Sequence, residues 1–180
     1  MIAAVVLAAG ESTRFGQPKQ LLLLDRVLQN VRAAQLDDVV VVLGAHAEEI
    51  RHEIRFERER IVVNADYAHG MSTSLQAGLR ALPTAADAAL IVLGDQPYVT
   101  ATTMRRLADE FLRTRPPALV PTYRGRRGNP VVIGAPLFPE IMQLRGDTGF
   151  RAIAAKHAVA ELAVDDDGVL IDVDKPGDIK

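Results

Sequence analysis

The sequence predicts an α/β fold, a doubly wound and mostly parallel sheet with helices on its faces. Short apolar runs stopped by glycine, asparagine or a turn recur along the first two thirds of the chain. Amphipathic stretches alternate with them, so successive strands are joined by right-handed helical crossovers. The length of 180 residues is that of one domain spanning 1–180, and 48% hydrophobic residues suffice for its core.

Residues 2–8 (IAAVVLA) form a continuous apolar run before Gly10 and read as a buried parallel strand. An amphipathic stretch over 23–35 follows the loop. Residues 39–43 are a second strand stopped by Gly44, and 46–59 read as a charged surface helix with Ile50, Ile54 and Arg58 on one side. Residues 61–63 form a third strand ending at Asn64, and 71–82 a helix opened by Gly70. The fourth strand, 88–93, ends at Gly94-Asp95-Gln96-Pro97. Residues 100–113 are a helix capped by Thr100, with Met104, Leu107 and Phe111 as its apolar stripe. Pro116-Pro117 breaks it before a fifth strand, 118–121. Beyond that, 122–134 read as strand-turn-strand, and 137–144 and 150–157 as helices. Residues 159–164 and 169–173 read as strands around the acidic turn 165–168.

The formal net charge of −2 argues against an electrostatic nucleic-acid or membrane-surface binder. The absence of cysteine excludes disulfides, thiolate catalysis and cysteine-ligated zinc. His46, His52, His69 and His157 form no close metal-binding pair. No basic leader precedes the first apolar run, and no window approaches the roughly 20 apolar residues of a membrane span. The expected compartment is the cytoplasm.

Four segments have the residue types of a phosphate chemistry. After the first strand, the small residues Ala8, Ala9 and Gly10 let a ligand approach the backbone, and Arg14 and Lys19 supply positive charge at the carboxyl edge of the sheet. Neither GxxxxGK[ST] nor GxGxxG occurs. The alternative is a strand-end turn with solvated cations. Gly94-Asp95 ends the fourth strand at the same edge, where an aspartate can hold Mg²⁺ beside phosphates or simply sit in a turn. Gly70 with Ser72 and Ser74 makes a helix start whose free amides and hydroxyls suit an anion or the polar edge of a base; the alternative is a helix cap. Arg124, Arg126 and Arg127 make a compact cationic loop that either grips a phosphorylated substrate or is a solvated hairpin tip. Asp147 lies in a similar loop and could cap the helix that follows.

In order, LAAGESTRFGQPK, GMSTSLQAG, GDQP, RGNP, GDTGFR and DVDKPGD resemble the MobA/MocA-like nucleotidyltransferases over essentially the whole chain, nearest to the molybdenum cofactor cytidylyltransferase branch. The resemblance implies a Rossmann-like fold of the nucleotide-diphospho-sugar transferase type. It implies Mg²⁺-dependent nucleotidyl transfer with release of pyrophosphate. Leu7, Ala8, Ala9, Gly10 and Ser12 would hold the nucleotide, with Gly70, Ser72, Ser74 and Gly94 near it. Arg14 and Lys19 would contact the triphosphate and Asp95 the metal. Arg126, Arg127, Asn129 and Asp147 would face the acceptor. The LAAG form is similar to enzymes that use CTP rather than GTP. A molybdopterin-type phosphate is the implied acceptor, with a molybdenum hydroxylase or its accessory protein as recipient. Transfer to a sugar or polyol phosphate, and a non-catalytic molybdopterin chaperone, are the rival readings. An acceptor phosphate is already ionised near neutral pH, so positioning and charge neutralisation suffice without a strong base.

The chain departs from the family pattern at three places. Lys19-Gln20-Leu21-Leu22 runs straight into Leu23-Leu24-Asp25-Arg26, roughly six residues short of the usual glycine-containing turn; this is either a real deletion or an omitted loop, and the four leucines, like two joined apolar ends, favour omission. Phe150 stands where a small residue is usual. Lys175 and Gly177 replace the common Thr and Glu.

Overall fold

The structure, a computed structural model, describes residues 1–12 and 15–179. Its strands are β1 (Ile2–Ala8), β2 (Asp38–Leu43), β3 (Arg60–Val63), β4 (Ala88–Leu93), β5 (Ala118–Tyr123), β6 (Arg126–Arg127), β7 (Val131–Gly134) and β8 (Val159–Ala163). They form one sheet in the order β3-β2-β1-β4-β7-β5-β6, with β8 also paired to β5. The strands β1 to β4 run parallel, and β7 enters antiparallel between β4 and β5. The sheet is therefore mixed from β7 onward, because a short connection returns the chain along β5 without a crossover helix. Leu7 lies opposite Leu93, so β1 and β4 end side by side at their carboxyl ends.

The strands' two-residue alternation builds two apolar layers. Ile2, Ala4, Val6 and Ala8 pack on one face with α1 (Gln20–Ala33) and α4 (Ala101–Thr114). Val5 faces the other side, with α3 (Met71–Arg80) and the short helices α5 (Phe138–Ile141) and α6 (Phe150–Ala154). A small satellite cluster of Phe15, Leu23 and Val173, with Tyr98 against it, fastens the C-terminal segment beside the start of α1.

Several expected elements are corrected. The helix α1 starts at Gln20 and runs unbroken through all four leucines, with Leu23 and Leu24 buried and Leu22 exposed. Leu21 to Leu24 are consecutive residues in one turn of this helix. The charged helix, α2 (Ala47–Glu53), ends six residues early. Its tail is drawn onto α1, where Arg32 donates to the Arg55 carbonyl at 3.0 Å and to Glu59 Oε1 at 2.6 Å. Residues 169–173 are not a strand. A 3₁₀ turn spans Asp167–Leu170, and the backbone groups around it are committed elsewhere. The Val169 carbonyl accepts from Asn129 N, Ile171 N donates to the Gly168 carbonyl and Val173 N to the Asp95 carbonyl, so these groups are not given to a strand ladder. The helix expected over 137–144 shrinks to a 3₁₀ turn and α5, and that over 150–157 to α6.

The Arg32–Glu59 contact predicts a pH dependence. Burial alone would raise Glu59; donation from Arg32, then from the Glu57 N–H at 2.6 Å, outweighs it, and the carboxyl titrates below its ordinary range. A depressed carboxylate contributes stability that is present above its unfolded value and lost as pH falls through its folded value. Glu59→Gln should cost about 1–2 kcal/mol at neutral pH. It should also flatten the acid limb of a urea-unfolding series measured between about pH 3 and 7.

Candidate functional site

The carboxyl ends of β1 and β4, the start of α1 and the start of α3 enclose a cleft of about 340 Å³, within the usual range for a small-molecule site. Of the residues named from the sequence, Leu7, Ala8, Ala9, Gly10, Ser12, Lys19, Gly70, Ser74, Gly94, Asp95 and Asp147 line it. Gln20, Tyr67, Met71, Leu93 and Asp174 complete the wall and were not foreseen. Arg14 lies outside the described residues.

Lys19 is the electrostatic centre. Its Nζ donates to Asp95 Oδ2 at 2.8 Å, to the Val173 carbonyl at 3.2 Å and to Asp174 Oδ1 at 3.4 Å. The approach of Lys19 to Asp95 follows from topology: α1 leaves the end of β1, while Asp95 leaves the end of β4 next to it. Gly94 makes the junction possible. Its N–H donates to the Leu7 carbonyl at 2.9 Å, and a Cβ there would lie 2.9 Å from that oxygen. Asp172 stands behind this group. Burial, then the charges of Asp95 and Asp174, raises its carboxyl above the ordinary range, against donation from Gln96 at 2.6 Å and the attraction of Lys19.

The oxygen donors around Lys19 suit a hard divalent cation. Two carboxylates from separate segments, together with a backbone carbonyl, converge on the Lys19 ammonium. Among the described residues no group of three or more ligating side chains is assembled. Mg²⁺ is commonly bound by one or two carboxylates plus substrate phosphates, so the residues present fit a metal completed by its ligand.

The helix start at Gly70 differs from expectation. Its amides are not free: Met71 N donates to Asp147 Oδ1 at 3.1 Å and Ser72 N to the Gly146 carbonyl at 3.2 Å. Asp147 thus caps α3, not the helix that follows it. Gly70 permits this with φ of 106°, where a Cβ would come within 2.3 Å of the Gly146 carbonyl carbon. Ser74 lines the cleft, but its hydroxyl accepts from Asn64 at 3.0 Å. Ser72 is off the cleft wall, and its buried hydroxyl has no hydrogen-bond partner among the described residues.

The acceptor-side residues are dispersed. Arg126 and Arg127 occupy the exposed β6 hairpin at the edge of β5, and Arg127 pairs with Glu161 at 2.7 Å. Asn129 is tied by its N–H to the Val169 carbonyl. None of the three lines the cleft.

A strand-end loop, a lysine–aspartate pair and a polar helix start thus line one cleft at the carboxyl edge of an α/β sheet, the edge at which open sheets bind ligands. Residues 4–162 match the MobA-like NTP transferase domain, and the chain belongs to that family of nucleotidyltransferases. Nicotine blue oxidoreductase of Paenarthrobacter nicotinovorans is 34% identical over 83% of this chain and 79% of its own. Molybdenum cofactor cytidylyltransferase of Escherichia coli strain K12 is 26% identical over 98% and 93%. Among solved structures, Rv0371c of Mycobacterium tuberculosis H37Rv superposes with a TM-score of 0.89 at 34% identity, covering 98% of this chain and 94% of that one. A manganese complex of Rv0371c gives a TM-score of 0.83, covering 98% and 95%. The fold is that of the nucleotide-diphospho-sugar transferases, as the resemblance implied.

Proposed function

We propose that the protein transfers CMP from CTP to a molybdopterin-type phosphate acceptor, releasing pyrophosphate, with Mg²⁺ bound at Asp95. The observation that carries this reading is the convergence of Lys19, Asp95 and the loop after β1 on one cleft. The similarity to the E. coli cytidylyltransferase supports the choice of nucleotide and acceptor. In the reaction an acceptor phosphate oxygen forms a bond to the α-phosphorus, and the bond from that phosphorus to the bridging oxygen breaks. The electron pair leaves with pyrophosphate, and no proton need be removed from an already ionised phosphate. Lys19 donates to the phosphate oxygens. The cleft's apolar wall, with Leu7, Ala8 and Ala9, excludes water from them. Asp95, with Asp174, would hold the divalent cation, which supplies charge neutralisation of the triphosphate when bound. Asp147, on the cleft wall at the cap of α3, would lie on the acceptor side. The exposed hairpin with Arg126 and Arg127, and Asn129 beside it, would serve an acceptor extending beyond the cleft. A molybdenum hydroxylase or its accessory protein is the proposed recipient of the product.

One observation favours a second reading, an oxidation–reduction reaction: the 34% identity to nicotine blue oxidoreductase. The two are separated by supplying CTP, GTP, ATP and UTP with Mg²⁺, with and without molybdopterin, and measuring pyrophosphate. Oxidation of NADH or NADPH is followed in parallel by absorbance. The expected result is pyrophosphate release with CTP only when molybdopterin is present. Release with no nucleotide overturns the transfer reading, and dinucleotide oxidation without pyrophosphate establishes its rival.

A further inference from the structure

Gln20 has a role that its place as the first residue of α1 does not disclose. It is 4% exposed, and every polar atom of its amide is used on the loop after β1. Nε2 donates to the Gly10 carbonyl at 2.8 Å and to the Ala8 carbonyl at 3.4 Å. Oε1 accepts from the Ser12 hydroxyl at 2.9 Å. That hydroxyl in turn accepts from Lys19 N at 3.1 Å. Ser12 itself has a φ of 55°, a left-handed conformation that a non-glycine residue adopts at some cost. Ser12 is therefore held in a disfavoured conformation by a ring of hydrogen bonds that runs from the Ala8 and Gly10 carbonyls through Gln20 to Ser12 and back to Lys19.

We infer that Gln20 and Ser12 form a latch that sets the nucleotide-binding shape of this loop, and that Gln20 is a positioning residue for the nucleotide. In a trans peptide the C=O and the following N–H point in opposite directions. Drawing the Ala8 and Gly10 carbonyls onto Gln20 thus turns the Ala9 and Glu11 N–H groups away from it, as donors that phosphate oxygens need. The same ring fixes the backbone of Lys19, whose side chain reaches Asp95. The one proton of the Ser12 hydroxyl is already given to Gln20, so its contribution to the nucleotide's phosphate oxygens is made through the backbone's shape rather than by donation from its side chain. A glutamine is required because the position must donate to two carbonyls and accept from a hydroxyl at once.

This inference rests on the nucleotide reading given above, and its test separates the two. Glu at position 20 keeps the shape of glutamine but, when ionised, sets a carboxylate against two carbonyls. In that buried place its pKa is raised, and once protonated it regains a donor. Gln20→Glu, Gln20→Met and Ser12→Ala are compared with the wild type for the equilibrium affinity of CTP with Mg²⁺ by calorimetry, for KM and kcat by pyrophosphate release, and for thermal unfolding. Gln20→Glu should raise KM and Kd for CTP by about 10- to 100-fold while kcat changes by less than about threefold. That defect should shrink, relative to the wild type, as pH falls from about 8 to 5.5. Gln20→Met should show the defect without the pH trend, and Ser12→Ala a smaller loss of about 3- to 10-fold. The double variant Ser12→Ala, Gln20→Met should be no worse than Gln20→Met alone, because the ring is already open. If Gln20→Glu does not fold, the Ser12→Ala and Gln20→Met results decide alone. Variants that melt at lower temperature yet bind CTP within about twofold of the wild type overturn the latch, as does a loss confined to kcat. A wild type that binds and turns over CTP while the variants match it leaves the nucleotide reading standing without the latch. A wild type that binds none of the four nucleotides overturns both.

Discussion

Replacing Asp95 by Asn lowers metal-dependent turnover by on the order of 10³-fold while the protein stays folded. The substitution is nearly isosteric, so Gly94 and the end of β4 keep their packing. What is lost is the carboxylate 2.8 Å from Lys19. In the free protein that charge fixes the lysine over the cleft, and in the proposed reaction it holds the cation that neutralises the triphosphate. Asn cannot supply either charge. Lys19 retains the Val173 carbonyl and Asp174, and the Asp95 side chain is 28% exposed. The stability cost of breaking a partly exposed pair should therefore stay within about 1 kcal/mol. Pyrophosphate release across a Mg²⁺ titration measures the first effect, and thermal unfolding of the same preparation measures the second. Turnover within about threefold of the wild type removes Asp95 from the metal role, whatever the melting temperature does.

That Lys19 and Asp95 share one sheet edge was legible because it needs only strand order; their direct ion pair was not expected. Both residues follow strands that end at one sheet edge, and two parallel strands that neighbour each other bring their exits together. The alternation of elements up to residue 121 carried the same information, and the structure keeps it. The interruptions lie where a segment answers to a partner remote in sequence. The helix over 46–59 has helical charge spacing throughout, yet Arg32 draws residues 55–59 out of it. Residues 169–173 have the composition of a strand, yet their backbone is bound by Asp95 and Asn129. Gln20 looks like any polar residue at a helix start; its role appears only when two carbonyls and a hydroxyl are placed around it. Asp174 comes from a stretch without regular structure, where no periodicity signals which way a side chain faces. The amides at Gly70 were expected to be open because their occupant, the loop carrying Asp147, lies about 75 residues away with no local sign of its approach.

Asp166→Ala should cost about 3 kcal/mol of stability. Asp166 is buried, and one carboxylate closes the N-terminus of α4 from outside it. Oδ2 accepts from Thr100 N at 3.0 Å, from the Thr100 hydroxyl at 2.8 Å and from the Thr103 hydroxyl at 2.6 Å. Oδ1 accepts from Gly168 N at 3.0 Å. Thr100 also caps the helix itself, through Thr103 N at 3.2 Å, so the acid and the threonine work as a pair at the positive end of the helix dipole. Alanine leaves buried donors with nothing to accept from them, and an unmade buried bond costs more than a made one contributes. Asp166→Asn should fall between, because its amide turns one acceptor into a donor facing other donors. Urea unfolding should show a lower midpoint at unchanged m-value for both variants. A loss of about 3 kcal/mol in a domain of this size corresponds to a fall in Tm of about 6–12 °C. The protein that remains folded should turn over substrate at close to the wild-type kcat, since Asp166 touches α4 and the 3₁₀ turn at 167–170 but no residue of the cleft wall. A normal midpoint would mean that water replaces the carboxylate at the helix end, and that Thr100 alone is a sufficient cap.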